Sequence, residues 1–200
     1  EAAGLADVFA RANRLLPNES RRPRYVCRVA AATARTMIEG SSGLRLMADL
    51  SLQDLDPTRT FDTIVVTGTG GGARPGNLPE VADWVRIAAR KAKRVAAVYT
   101  GTFLLAEAGL LKRRRATTHW KCIAELAQRF PDIQVEADAI YVQDGKLFTS
   151  AGAMAGLDLA LAFVEADLGA DIARGVARHL VLYLRRPGGQ SQFSAVLQHE

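Results

Sequence analysis

The run Val95-Ala-Ala-Val-Tyr-Thr-Gly-Thr-Phe-Leu-Leu-Ala-Glu-Ala-Gly109 reads as a buried strand that passes through a sharp turn straight into a helix. The turn has the frame small-x-nucleophile-x-small, with Ala97 and Gly101 as the small residues. Small flanks are needed where the central residue sits on a strained turn with its side chain thrust into a pocket. The central residue here is Tyr99. A phenol with an ordinary pKa of about 10 is a poor nucleophile at neutral pH. The frame therefore predicts an enzyme-like scaffold whose key position is disarmed.

The rest of the chain alternates strand and helix. Apolar residues at 5, 8, 9, 12, 15 and 16 give a helical period over Leu5 to Leu16, stopped by Pro17. Arg24 to Thr33 and, more briefly, Gly43 to Leu50 read as strands. Phe61 to Thr67 is a β-branched buried strand that runs into Gly68-Thr-Gly-Gly-Gly72. Leu78 to Lys93 is an amphipathic helix, Arg94 to Val98 the strand entering the turn, and Gly101 to Ala108 the helix leaving it. A further helix spans His119 to Phe130, ended by Pro131. Ile133–Val135, Ile140–Val142 and Leu147–Thr149 read as short strands, the last two joined at Asp144-Gly145. Helices over Ala151–Leu168 and Asp171–Leu184 close the pattern. This order predicts an α/β three-layer sandwich with a mainly parallel sheet.

Length and composition agree. Two hundred residues with 48% hydrophobic content suffice for one buried domain. No apolar run approaches the roughly 20 residues that span a bilayer, and the opening Glu1-Ala-Ala-Gly4 lacks a basic-then-apolar leader. The two cysteines, Cys27 and Cys122, fit a reducing cytoplasm better than a disulfide framework. Cys27 is expected as a core strand thiol. Cys122 follows His119 by three residues, and one pair of this kind does not make a zinc site. No metal or cofactor is expected. The net charge of +5 is spread over short clusters at 21–24, 90–94, 112–115 and 185–186. These are expected as solvated faces, since no recognition helix or aromatic interleaving accompanies them.

Several blocks follow in order after the turn: Leu104-Leu-Ala-Glu-Ala-Gly-Leu-Leu111, Arg115-Ala-Thr-Thr-His-Trp120, Thr149-Ser-Ala-Gly152, Gly156-Leu-Asp158 and Pro187-Gly-Gly-Gln-Ser-Gln-Phe-Ser194. Together they resemble the amidotransferase-like (ThiJ/PfpI-type) domain at the N-terminus of many AraC-family transcriptional regulators. The resemblance covers nearly the whole chain and implies a class I glutamine amidotransferase-like, flavodoxin-like fold. In that family the turn usually reads Cys-Thr-Gly, so Tyr99 stands where the nucleophile would be, and a non-catalytic domain is expected. The resemblance further implies that residues 1–200 are one ligand-sensing domain within a longer regulator, lacking a first strand and a C-terminal helix-turn-helix domain. Its partners would be a small amino-acid-like or amine effector, a second copy in a homodimer, and DNA through the fused domain, with no membrane. The alternative is an active amidase, isonitrile hydratase or glyoxalase-like enzyme.

Ligands of parallel α/β sheets bind beyond the carboxyl ends of the strands. Three segments are expected to meet there. Gly68, Thr69 and Gly70 let backbone N–H groups approach a ligand closely. Tyr99, Thr100 and Gly101 form a second wall: Tyr99 either donates its hydroxyl to a ligand or plugs the old nucleophile pocket, and the N–H groups of Thr100 and Gly101 open a helix. His119 with Ser150, Ala151 and Gly152 completes the set. Trp120 is expected as core, Asp158 as a structural hydrogen-bond partner within an apolar helix, and Glu1 as a possible acid at the pocket edge.

Overall fold

The structure is a computed structural model that describes residues 1–17, 23–68, 78–184, 186 and 188–191. Helix α1 (Ala2–Leu15) leads into short strands β1 (Ala30–Ala31), β2 (Met37–Glu39), β3 (Arg45–Met47) and β4 (Leu50–Ser51). Then come β5 (Thr63–Val66), α2 (Pro79–Ala88), β6 (Arg94–Val98), α3 (Gly101–Glu107) and β7 (Arg115–Ala116). The chain continues through α4 (Ile123–Arg129), β8 (Gln134–Val135), β9 (Tyr141–Asp144), β10 (Leu147–Ser150), α5 (Ala153–Leu168) and α6 (Ala170–Leu180).

The central sheet has the order β5-β6-β10-β9. β5, β6 and β10 run parallel, in the registers Val66 with Ala97 and Ser150 with Val98; β9 is antiparallel to β10. Strand β6 shows why its sequence has no polar alternation. Side chains alternate across a sheet, and both faces of this one are covered. Val95 and Ala97 join Val85, Phe103, Leu104, Leu111 and Leu126 on the side of α2, α3 and α4. Ala96 and Val98 join Val8, Phe148, Leu159, Phe163 and Val176 on the side of α1, α5 and α6. A strand buried on both faces is uniformly apolar, and Phe61–Thr67 and Arg94–Val98 are neighbours as their character requires. The three-layer α/β architecture with a mainly parallel sheet follows.

Charged and polar side chains anchor the start of β6. Arg94 at the start of β6 donates two hydrogen bonds to Asp167, at 3.1 and 2.7 Å, and stacks 4.6 Å from the Phe163 ring centroid. The same carboxylate accepts from the Tyr25 hydroxyl at 2.9 Å. Burial, reinforced by that bond to Asp167, pushes the Tyr25 phenol above its ordinary range.

The region before β5 departs from expectation. Of Arg24 to Thr33, only Ala30–Ala31 is strand. Tyr25 instead docks on α1, exchanging two hydrogen bonds with the Asn13 side chain and packing its ring 4.8 Å from Phe9. The Val29 amide is satisfied by the Asp49 carboxylate rather than by a ladder. Cys27 is consequently exposed, not a core thiol. Gly43 to Leu50 divides: Gly43 and Leu44 turn a hairpin between β2 and β3, and Leu50 belongs to β4, which pairs with β1. Helix α6 ends at Leu180, where Val181 adopts φ +53° and halts it before Leu184. Among the described residues, no helix is long and apolar enough to cross a membrane, and no group of three His, Cys, Asp or Glu side chains could hold a metal ion.

Candidate functional site

The turn after β6 is built as its small flanks require. Tyr99 adopts φ +58°, a left-handed conformation that costs a non-glycine residue roughly 1–2 kcal/mol. The surrounding bonds hold it there. The Tyr99 amide donates to the Ser150 carbonyl at the end of β10 (3.0 Å), and the Tyr99 carbonyl accepts from the buried Thr118 hydroxyl (2.8 Å). Gly101 packs directly on the backbone of Val66 and Thr67, leaving no room for a Cβ. Strain imposed by several independent bonds is the usual mark of a functional turn.

Around this turn the structure brings together residues far apart in sequence. A Cβ on Gly68 would lie 2.7 Å from the Thr100 hydroxyl and 2.9 Å from the Tyr99 ring, so β5's exit loop touches the elbow without a side chain between them. The Gly68 amide donates to the Glu1 carboxylate at 2.8 Å. Glu1 therefore spends its side chain across the sheet rather than capping α1. The Thr100 hydroxyl is buried, its residue only 5% exposed, and has no hydrogen-bond partner among the described residues. An unsatisfied buried hydroxyl costs about 1–3 kcal/mol, which a ligand oxygen or nitrogen would recover.

The other wall is aromatic. The His119 ring meets the Tyr99 ring edge-on at 4.8 Å between centroids, with Trp120 5.4 Å further along. His119 accepts a 3.4 Å bond from the Lys121 amide through Nδ1, which leaves the Nε2 proton as a donor. Gly152, the residue before α5, faces His119 at ordinary contact distance. Ser150 and Ala151 are close by, but their polar groups are engaged: the Ser150 hydroxyl points to the Ala97 carbonyl and the Ala151 amide to the Ile140 carbonyl. Glu1, Gly68, Tyr99, Thr100, His119 and Gly152 thus converge. Gly101 serves the packing against β5, and Thr69 and Gly70 lie outside the described residues.

Burial favours the neutral forms of Tyr99, Cys122 and His119. Burial raises the Tyr99 phenol above its ordinary value, and the neighbouring Cys122 thiol and Glu1 carboxylate push the same way. Burial likewise raises the half-buried Cys122 thiol, with Glu125 adding to it and Lys121 opposing. A thiol held protonated is a weak nucleophile. Burial first, then Lys121, lowers His119.

The His119 shift has a stability consequence. The unfolded chain holds that proton more tightly, so the term is harmless above about pH 6.5 and grows as pH falls toward the lowered folded value. The His119→Asn variant keeps an acceptor for the Lys121 amide but cannot titrate. Between pH 7 and 5, its unfolding free energy should therefore fall less steeply than that of the wild type. Parallel curves in urea denaturation would disprove a neutral, half-buried His119.

Away from these segments, Asp158 accepts two bonds from Arg186 Nε, at 3.1 and 2.9 Å, and is a structural partner. Thr117, Thr118 and Gln190 fall in two of the blocks that carry the family resemblance, but the sequence pattern gives them no role as a group; they form a buried hydrogen-bonded unit directly behind Tyr99. The one local signal was polarity without a surface to face: Thr117 and Thr118 are fully buried.

Comparison with known proteins bears on the family and the fold. The chain is 39% identical over 132 residues to isonitrile hydratase of Pseudomonas putida, a match that covers 63% of the chain and 57% of that protein. It is 32% identical over 149 residues to the HTH-type transcriptional regulator CdhR of Pseudomonas aeruginosa, covering 74% of the chain and 42% of the regulator. The chain thus spans about half the length of these relatives. Among solved structures, an AraC family transcriptional regulator from Pseudomonas putida superposes with a TM-score of 0.74 at 23% identity, over 89% of this chain and 90% of that one. The model of the DJ-1/PfpI family matches residues 5–166, and with the strained elbow and three-layer sheet in place, the chain belongs to that family.

Proposed function

We propose that this domain is the ligand-sensing, non-catalytic part of an AraC-type transcriptional regulator. It binds a small amino-acid-like or amine metabolite and relays occupancy to a fused DNA-binding domain, as a homodimer in the cytoplasm. One observation carries the reading: an intact elbow presents a tyrosine where a nucleophile would stand, while pocket groups still converge on it. The unpartnered Thr100 hydroxyl suits a carbonyl or carboxylate oxygen, and the His119 Nε2–H can add a second donor. The Glu1 carboxylate and the Tyr99 face suit an ammonium group. The regulator relatives support the relay, since binding energy that differs between two arrangements shifts their populations.

The relative at 39% identity favours a second reading, that of an enzyme. It would need a relocated nucleophile, and Cys122 is the one thiol near the elbow. A thermal-shift screen of amino acids and quaternary amines tests the sensor. An effector at one hundred times its dissociation constant stabilises by about 2.7 kcal/mol, which raises the melting temperature by about 5–10 °C. In parallel, Cys27→Ser/Cys122→Ser is compared with the wild type on isonitrile, amide and glyoxal substrates. No turnover by either protein is expected. Turnover that the double variant loses would establish a thiol enzyme instead.

A further inference from the structure

The block Pro187-Gly-Gly-Gln190 is absorbed by none of the chemistry above, yet its described residues make a dense set of bonds. Gln190 is 5% exposed. Its Nε2 lies 3.1 Å from the Thr117 hydroxyl, 3.1 Å from the Thr118 carbonyl, 3.1 Å from the Ala137 carbonyl and 2.9 Å from the Ala139 carbonyl. The Gln190 amide donates to the Asp138 carbonyl (2.8 Å) and the Ser191 amide to the Asp138 carboxylate (2.7 Å). Gly188 adopts φ +80°, and a Cβ on Gly189 would overlap the backbone and carboxylate of Asp138. Both glycines are therefore needed for the segment to seat.

What the segment seats against is the back of the elbow. Thr118, whose carbonyl binds Gln190, is the residue whose hydroxyl holds the Tyr99 carbonyl. It also precedes His119, which packs on the Tyr99 ring. One side chain separates the strained turn from residues 188–191. The seating is also poised rather than maximal. Two amide protons serve four acceptors, and the Gln190 Oε1 is buried without a partner among the described residues. A buried polar group left unpaired weakens the closed arrangement, so modest changes at Thr118 can tip it.

We propose that Gln190 is a positioning residue for the elbow, and that Gly188–Ser191 is a latch whose seating is coupled through Thr118 to the state of the Tyr99 pocket. As the route by which pocket occupancy leaves the domain, this rests on the sensor reading. The coupling itself is a property of the unliganded chain. Because coupling between two sites is reciprocal, each end must feel the other by the same factor.

Amide hydrogen exchange on the 200-residue chain tests it. The Tyr99 and Phe103 amides report the elbow through their bonds to the Ser150 and Thr100 carbonyls; the Gln190 and Ser191 amides report the latch. Val95, bonded to the Lys146 carbonyl, reports the sheet. Gln190→Met removes the donors at constant length and should speed elbow exchange about tenfold while Val95 is unchanged. Thr118→Val should speed latch exchange by a similar factor, and Thr118→Ser should restore it. Gly189→Ala removes no hydrogen-bonding group and provides the same reading should Gln190→Met fail to fold. Latch exchange that rises while the elbow stays protected, or equal acceleration at Val95, would overturn the proposal. An effector found in the thermal-shift screen with no such coupling would leave the sensor standing and remove the latch. Coupling with no effector would do the reverse.

Discussion

Replacing Gly101 with alanine should cost the fold about 3 kcal/mol or more, at or above the usual upper end for overpacking, and lower the melting temperature by about 6–12 °C. The reason is what the new methyl would meet. It would overlap the Val66 carbonyl oxygen and lie 3.0 Å from the Val66 carbonyl carbon and 3.1 Å from that of Thr67. These are backbone atoms, so no rotamer change relieves the contact. Val66 is paired in register with Ala97 of β6, and its withdrawal would break the ladder at the elbow. Alanine's better helix propensity returns at most about 1 kcal/mol, so the clash prevails. Urea unfolding of Gly101→Ala checks this, and a cost below about 1 kcal/mol would mean that the elbow does not lie against β5 as described.

How much of this was legible follows from the range over which the responsible forces act. Strands β5 and β6 announce themselves by the apolar runs Ile64–Val66 and Val95–Val98, because a strand covered on both faces has no polar alternation to hide it. Helix α1 is equally plain, since Leu5, Val8, Phe9 and Ala12 share one buried face. The elbow was legible from Ala97 and Gly101, and Tyr99 does take the left-handed backbone. By contrast, Tyr25 to Cys27 looked like core strand because of local apolarity alone. Their fate depends on Asn13 and on Asp167, 142 residues away from Tyr25, and no periodicity carries that information. Of the paired two-residue strands, β8 was legible within Ile133–Val135, whereas β7 was not, because its two residues are a strand only through their pairing with β8.

The same limit applied to the candidate site. Glu1, Gly68, Tyr99 and His119 could be placed near one another from the rule that parallel strands gather their exit loops. The connection from Tyr99 through Thr118 to Gln190 could not, because it is made of single hydrogen bonds between residues 19 and 72 positions apart. Backbone strain at Tyr99 and the unpaired Thr100 hydroxyl are the features that a ligand would act on. Both depend on the short helix that follows the turn, and so on what anchors that helix.

That anchor is Phe103, and Phe103→Ala should cost about 3–5 kcal/mol. Helix α3 has only seven residues, too few to persist on its own in water, so its stability comes from packing. Gly101 through Ala106 are all buried, which leaves no exposed face to adjust when the core changes. The Phe103 ring lies edge-on to Phe130 at 6.4 Å and beneath the Arg129 guanidinium at 5.0 Å. Arg129 is itself fixed by Glu107 at 2.9 Å and Glu125 at 3.1 Å, so it cannot collapse into the space that the ring vacates. A cavity that its neighbours cannot fill carries the full penalty, beyond the transfer term alone. Phe103→Leu, which keeps most of the volume, should cost clearly less. The expected order of unfolding free energies is wild type, then Phe103→Leu, then Phe103→Ala, with the alanine variant also exchanging its Phe130 amide faster. A cost near 1 kcal/mol for the alanine variant would show that α3 is held by its backbone rather than by this ring.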